Sequence, residues 1–104
     1  MADSELTAPA SENPSRFMSL TSIMRGCALR YPTRSSTVNL GLETRRYTWS
    51  QTVDRVARAA GGMRELGLST AGRVAILGFN SDTYYEAYFS IMWAGGVVVP
   101  VNIR

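Results

Sequence analysis

The chain has 104 residues, 45% of them hydrophobic and 18% charged, with a formal net charge of +3. That is the size of one small domain and the balance of an ordinary globular chain, which excludes a wholly disordered or fibrous protein. All eleven basic residues are arginine, spread from Arg16 to Arg104 with only Arg45 and Arg46 adjacent; such scatter reads as solvated surface and argues against a nucleic-acid binder, which concentrates its basic residues on one face.

The absence of lysine and histidine removes two chemistries. Phosphoanhydride transfer commonly sets a lysine ammonium against phosphate oxygens. Histidine is the commonest general base and metal ligand near neutral pH.

Residues 1–15, MADSELTAPASENPS, combine Ser, Ala, Pro and Glu without periodicity and are expected to form a disordered tail. They contain acidic residues and no apolar stretch, so they do not resemble a secretory signal. The remaining residues, 16–104, are expected to form one structured unit.

Leu20, Ile23, Met24, Cys27 and Ala28 recur at helical spacing and predict an amphipathic helix over 19–30. Tyr31-Pro32 ends it, because a residue before proline avoids the helical region. Cys27, the single cysteine, has no internal partner and reads as a small buried hydrophobe in a reducing compartment.

Thr37–Leu40 and Arg45–Thr48, separated by GLET with a turn-compatible Gly41, predict a small hairpin. Thr48 and Gln51 then have the spacing of a capping box at the start of a second helix. Val53, Val56, Ala57, Ala60 and Met63 form its apolar stripe, Asp54 and Arg58 can pair at i,i+4, and Gly67 stops it. Gly61-Gly62 inside the helix implies close packing or a bend.

VAIL (Val74–Leu77) and VVVPV (Val97–Val101) are unbroken apolar runs, as in parallel strands covered on both faces. Ser81 or Asp82 can cap a helix between them that runs to Ala94 and stops at Gly95-Gly96. The unit is βαβ with a right-handed crossover.

The turn GFNSD between the first of these strands and the helix lacks the G-x-G-x-x-G of a dinucleotide fold, and no G-x-x-x-x-G-K-[ST] occurs. Asp82 would repel a phosphate at the helix N-terminus. A flavodoxin-like nucleotide site could still use Asn80, Ser81 and Thr83. Tyr84, Tyr85, Tyr88, Phe89 and Trp93 suggest either a stacking platform or, with greater weight, core packing, with Asp82, Thr83, Glu86 and Ser90 as the narrow polar face.

In their order and spacing, these segments resemble the AMP-forming acyl-CoA synthetases of the adenylate-forming superfamily, within them the fatty-acyl ligases. Tyr47 to Thr52 is similar to the family's first core motif, with Gln51 and Thr52 in place of Glu-Leu. Gly72 to Leu77 resembles its G-[DE]-R-V-A strand, with Ala71 where an acidic residue often stands. Met92 to Asn102 resembles the A-G-x-x-x-V-P-x-[ND] motif.

The resemblance implies an α/β fold, the N-terminal fragment of an adenylate-forming synthetase domain with an amphipathic helix, a hairpin, a helix and one parallel βαβ unit. It implies a two-step reaction in which ATP, Mg and CoA serve a complete member. The family's phosphate loop and catalytic lysine have no counterpart in this sequence. Accordingly no catalytic, cofactor-binding or metal-binding residue is assigned, and no cofactor is expected in this segment.

The partners implied for a complete enzyme are a fatty acid or other carboxylate, ATP and CoA, without nucleic acid or a transmembrane segment. The longest apolar run, Ile91–Val101, is too short to cross a bilayer, and the expected location is cytoplasmic. Two rival readings are a free-standing α/β interaction module and a flavodoxin-like nucleotide-binding domain.

Overall fold

In the computed structural model, which describes residues 19–101, three helices and four short strands follow the predicted order. They are α1 (Leu20–Arg30), β1 (Ser35–Asn39), β2 (Arg45–Thr48), α2 (Trp49–Glu65), β3 (Arg73–Ile76), α3 (Asp82–Trp93) and β4 (Val97–Pro100). The expected tail, residues 16–18 and Asn102 lie outside the described residues.

Strands β1 and β2 pair antiparallel, from Asn39 opposite Arg45 to Ser35 opposite Thr48, with a register shift between Ser35 and Thr37. Strands β3 and β4 pair parallel with Arg73 beside Val97 and Ile76 beside Pro100. The α3 crossover between them completes the expected βαβ unit.

The capping box of α2 is formed in both directions. Gln51 N donates to Thr48 Oγ1 at 3.2 Å, and Thr48 N donates to Gln51 Oε1 at 2.9 Å. Gly67, with φ of 110°, ends the α2 turn, a conformation that costs glycine nothing. Gly95 (φ 88°) does the same after α3. The next residue, Gly96, sits where a Cβ would lie 3.1 Å from both Gly72 O and Ile91 Cγ2. The tight entry into β4 therefore needs glycine twice, for two different reasons.

Gly61 and Gly62 behave otherwise. The helix runs through them unbroken, and a Cβ at either position would meet nothing within 4 Å. Close packing is not their explanation.

The core is narrow: Met24, Val56, Ala60, Ile91 and Ala94, joined by Thr52, Asp82, Glu86 and Ser90. Here the structure corrects the reading of α3. Asp82, Glu86 and Ser90, spaced i, i+4, i+8, were expected on a solvent face; they lie inward, while Tyr84, Tyr85, Tyr88 and Phe89 remain half-buried. The reason is that arginines from two neighbouring elements neutralise the carboxylates there.

The first strands' companions differ too. Residues 74–77 and 97–101 were expected to be covered on both faces, yet Ala75, Leu77, Val97, Val99 and Val101 are exposed while Val74, Ile76 and Val98 are half-buried. α3 packs against β3 and β4, and among the described residues the side chains on the other face of the sheet are exposed. On α1 only Met24 is buried, with Leu20 and Ile23 about half exposed.

Thr52 marks a local cost. It is fully buried in α2, and its Oγ1 has no hydrogen-bond partner among the described residues. An unmade buried hydrogen bond costs about 1–3 kcal/mol. Two substitutions on one helix should thus move stability in opposite directions. Thr48→Ala removes the cap and should lower the unfolding free energy by about 1 kcal/mol, whereas Thr52→Val removes the orphaned hydroxyl and should raise it by about 1 kcal/mol. Chemical denaturation of the two variants checks both signs.

Candidate functional site

Open α/β sheets usually bind ligands beyond the carboxyl ends of their strands, which here means the turn 77–81 and the N-terminus of α3. An anion at a helix N-terminus needs free backbone N–H groups. These donors are already engaged. Tyr84 N donates to Ser81 Oγ at 3.1 Å, Thr83 N to Asp82 Oδ1 at 2.9 Å, and Asp82 N to Asn39 Oδ1 at 3.3 Å.

Asp82 itself is held by Arg45, whose guanidinium donates from Nη2 to Oδ1 at 2.7 Å; the carboxylate side chain is 4% exposed and the arginine 50%. A phosphate at this point would have to displace three protein acceptors and meet a buried carboxylate. The candidates Ser81 and Asp82 are thus brought together as a closed cap, with Asn39 and Arg45 of the hairpin completing it. Thr83 is exposed.

One turn further along α3, Glu86 Oε2 accepts from Arg55 Nε of α2 at 2.8 Å. The Arg55 guanidinium also lies over the Tyr47 ring, 4.6 Å from its centroid. The Glu86 hydrogen bond, against the opposing effect of burial, raises the arginine above its already high basicity. Ser90 Oγ donates to Glu86 O at 2.6 Å, so the inward polar stripe is internally satisfied along its length.

The aromatic candidates lie half-buried on the other sides of α3. A groove of about 320 Å³ is lined by Asn80, Ser81, Tyr84, Tyr85, Tyr88 and Phe89. The Tyr85 and Phe89 rings are 4.8 Å apart between centroids and tilted by 52°. Burial pushes the Tyr85 hydroxyl up from its ordinary value, with nearby Cys27 adding to it and Ser36 opposing. Trp93 is not part of this groove. It stacks with Arg25 of α1, whose guanidinium is 4.1 Å from the ring centroid, beside an apolar pocket of about 310 Å³ lined also by Ala28, Leu29 and Val53.

Cys27 is a half-buried free thiol. Among the described residues no group of three or more His, Cys, Asp or Glu side chains could hold a metal ion, and no helix is long and apolar enough to cross a membrane.

The arginines were the residues that sequence reasoning missed. Read as scattered surface charge, Arg45 and Arg55 instead bind the two buried carboxylates. The available signal was the i,i+4 spacing of Asp82 and Glu86 on a helix with few other polar residues, since an acid on such a helix must find a base when it turns inward.

Comparison with known proteins follows this geometry. Residues 24–104 match the family model of AMP-binding enzymes. An acetate/butyrate–CoA ligase of Arabidopsis thaliana, peroxisomal by its name, is 34% identical over 93 residues, covering 88% of this chain and 16% of that protein. A long-chain-fatty-acid–CoA ligase of Thermus thermophilus is 40% identical over 62 residues, covering 60% of this chain and 12% of its own length.

Among solved structures, the fatty acid AMP ligase of Legionella pneumophila superposes with a TM-score of 0.75 at 25% identity, over 80% of this chain and 15% of that one. The fatty acyl CoA synthetase of Mycobacterium tuberculosis gives 0.73 at 28% identity, over 79% of this chain and 16% of that one. The chain therefore spans about one sixth of the length of these relatives.

The Asp82 cap can be tested without any ligand. Asp82→Asn should lower stability by about 2 kcal/mol, less than the loss on breaking a fully buried pair because Arg45 can turn to water. Asp54→Asn, which breaks the exposed Arg58–Asp54 pair at 3.1 Å, should change it by less than about 0.5 kcal/mol. Equal denaturation midpoints for the two variants would deny the cap its structural role.

Proposed function

The chain belongs to the AMP-binding enzyme family, and from that premise we propose that it is the scaffold-forming N-terminal portion of an AMP-forming acyl-CoA synthetase. In the complete protein a carboxylate oxygen attacks the α-phosphorus of ATP, releasing pyrophosphate and leaving an acyl-adenylate. The CoA thiol then attacks the acyl carbonyl, and AMP departs. ATP, Mg and CoA would act there on a fatty or other carboxylic acid, in the cytoplasm.

The observation that carries the scaffold reading is the closed N-terminus of α3. Its donors serve Ser81, Asp82 and Asn39, the chain offers no lysine, and the residues present do not fit a nucleotide phosphate. No step of the reaction runs through them. Their contribution is to hold the helices and the β3–β4 pair at fixed positions from which a reacting site elsewhere can be built. The same geometry weighs against a flavodoxin-like site, which would need the Ser81 hydroxyl and the N-terminal amides free.

Grafting residues 19–104 onto the remaining part of a related synthetase tests the reading. The graft should form acyl-hydroxamate from ATP, fatty acid and hydroxylamine. Tyr88→Phe, and Asp82→Asn assayed well below its melting temperature, should leave the rate within a few fold, whereas Gly95→Val should prevent folding because β-branched residues resist positive φ. Loss of adenylation by orders of magnitude in a well-folded Tyr88→Phe graft would show that this segment carries chemistry.

A further inference from the structure

We propose that the groove between α1, α2 and the C-terminal end of α3 is a binding site for an aliphatic monocarboxylate, with the carboxylate on Arg25 and the hydrocarbon chain along Ala28, Leu29, Val53 and Trp93. The site lies at the opposite end of α3 from the closed Asp82 cap, and its own side chains define it whatever reaction the complete protein performs.

The groove holds about 310 Å³, and Arg25 is the one charged or polar side chain in its lining. A largely apolar hollow with a single convergent charged group is the pattern of a small-molecule site. Arg25 stands at an exposed position of α1, and its guanidinium carbon is 4.1 Å from the centroid of the Trp93 ring. Stacking on an aromatic face fixes the plane of a guanidinium and leaves its N–H edge available to an oxygen ligand. Arg45, Arg55 and Arg58 each pair with a carboxylate; Arg25 forms no ion pair with any described residue. Asp54, next in sequence to Val53, is held by Arg58 at 3.1 Å, so the acid nearest along α2 is already neutralised. Leu29 is 85% exposed, and the groove opens to solvent on its side.

This lining selects the ligand. One fork of N–H donors matches one carboxylate in bidentate geometry, whereas a phosphate ester or CoA carries more charge than a single guanidinium can balance. The four apolar side chains beside it reward hydrocarbon and penalise a polar chain, which would lose its hydrogen bonds to water there. An alkyl acid of medium length supplies the anion and the apolar body in the order in which the groove presents their partners.

The test is a titration of octanoate into the full 104-residue chain, followed by nuclear magnetic resonance. The methyl signals of Ala28, Leu29 and Val53 and the Trp93 indole signal should shift saturably, with a Kd on the order of 1 mM. Octanol, of equal length but uncharged, should bind at least about fivefold more weakly, and affinity should rise by about twofold per methylene from butyrate to octanoate. Arg25→Gln should weaken octanoate at least about fivefold and leave octanol unchanged, a split that misfolding would not produce. Tyr88→Phe, in the separate aromatic groove, should alter neither.

Equal affinity for octanoate and octanol overturns the proposal, as do unchanged octanoate binding in Arg25→Gln, shifts confined to Tyr84 and Tyr88, or shifts that never saturate. N-acetyl-leucyl-leucine, whose carboxylate ends a peptide, should bind more weakly than octanoate; the reverse order would make the site a receptor for peptide C-termini and overturn the alkyl-acid assignment. None of these signals depends on adenylation, so the site and the synthetase function fail separately.

Discussion

Two arginine–carboxylate pairs decide where α3 lies. An uncompensated buried carboxylate costs several kcal/mol, so a helix carrying Asp82 and Glu86 on one stripe can turn that stripe inward only where bases wait for it. Arg45 comes from the hairpin and Arg55 from α2, and the two therefore link both of those elements to one helix. With the acidic stripe inward, Tyr84, Tyr85, Tyr88 and Phe89 stay half-buried, and α3 packs against α2 and against the β3–β4 pair.

Much of this order was legible in the sequence because it depends on local rules. The Thr48–Gln51 box, the Gly67 and Gly95 stops and the order of helices and strands follow from neighbours within a few residues, and each appears where the spacing set it. What was not legible was the facing of α3. Hydrophobicity alone leaves Asp82, Glu86 and Ser90 on a polar face, and the long-range partners Arg45 and Arg55, 37 and 31 residues away, let that stripe turn inward beside half-buried aromatics. Unbroken apolar strands likewise report the cover they need and not the cover that this segment supplies.

The site question has the same structure. A strand–turn–helix can hold an anion only if its first amides are unspent, and the sequence could show that glycines were missing without showing what filled the gap. Asn39 could not be associated with Asp82 from the linear order, since they are 43 residues apart. With the hairpin's asparagine and arginine both at the α3 terminus, the feature that serves as a ligand site in other βαβ units becomes a joint between the hairpin and the sheet layer.

Arginine is suited to such a joint. A guanidinium can bond a carboxylate with one edge while its plane lies on an aromatic ring, as Arg55 does between Glu86 and Tyr47; a lysine ammonium offers no such plane. Arg25 covers Trp93, Arg34 lies 5.1 Å from the Tyr31 ring centroid, and Arg64 donates to Ala94 O at 2.7 Å, closing the end of α3. These are contacts made by flat, multiply donating groups at the margins of a small core. Part of the charge that looked like scattered surface is thereby a set of clasps between elements, made by Arg25, Arg45, Arg55 and Arg64 around α3.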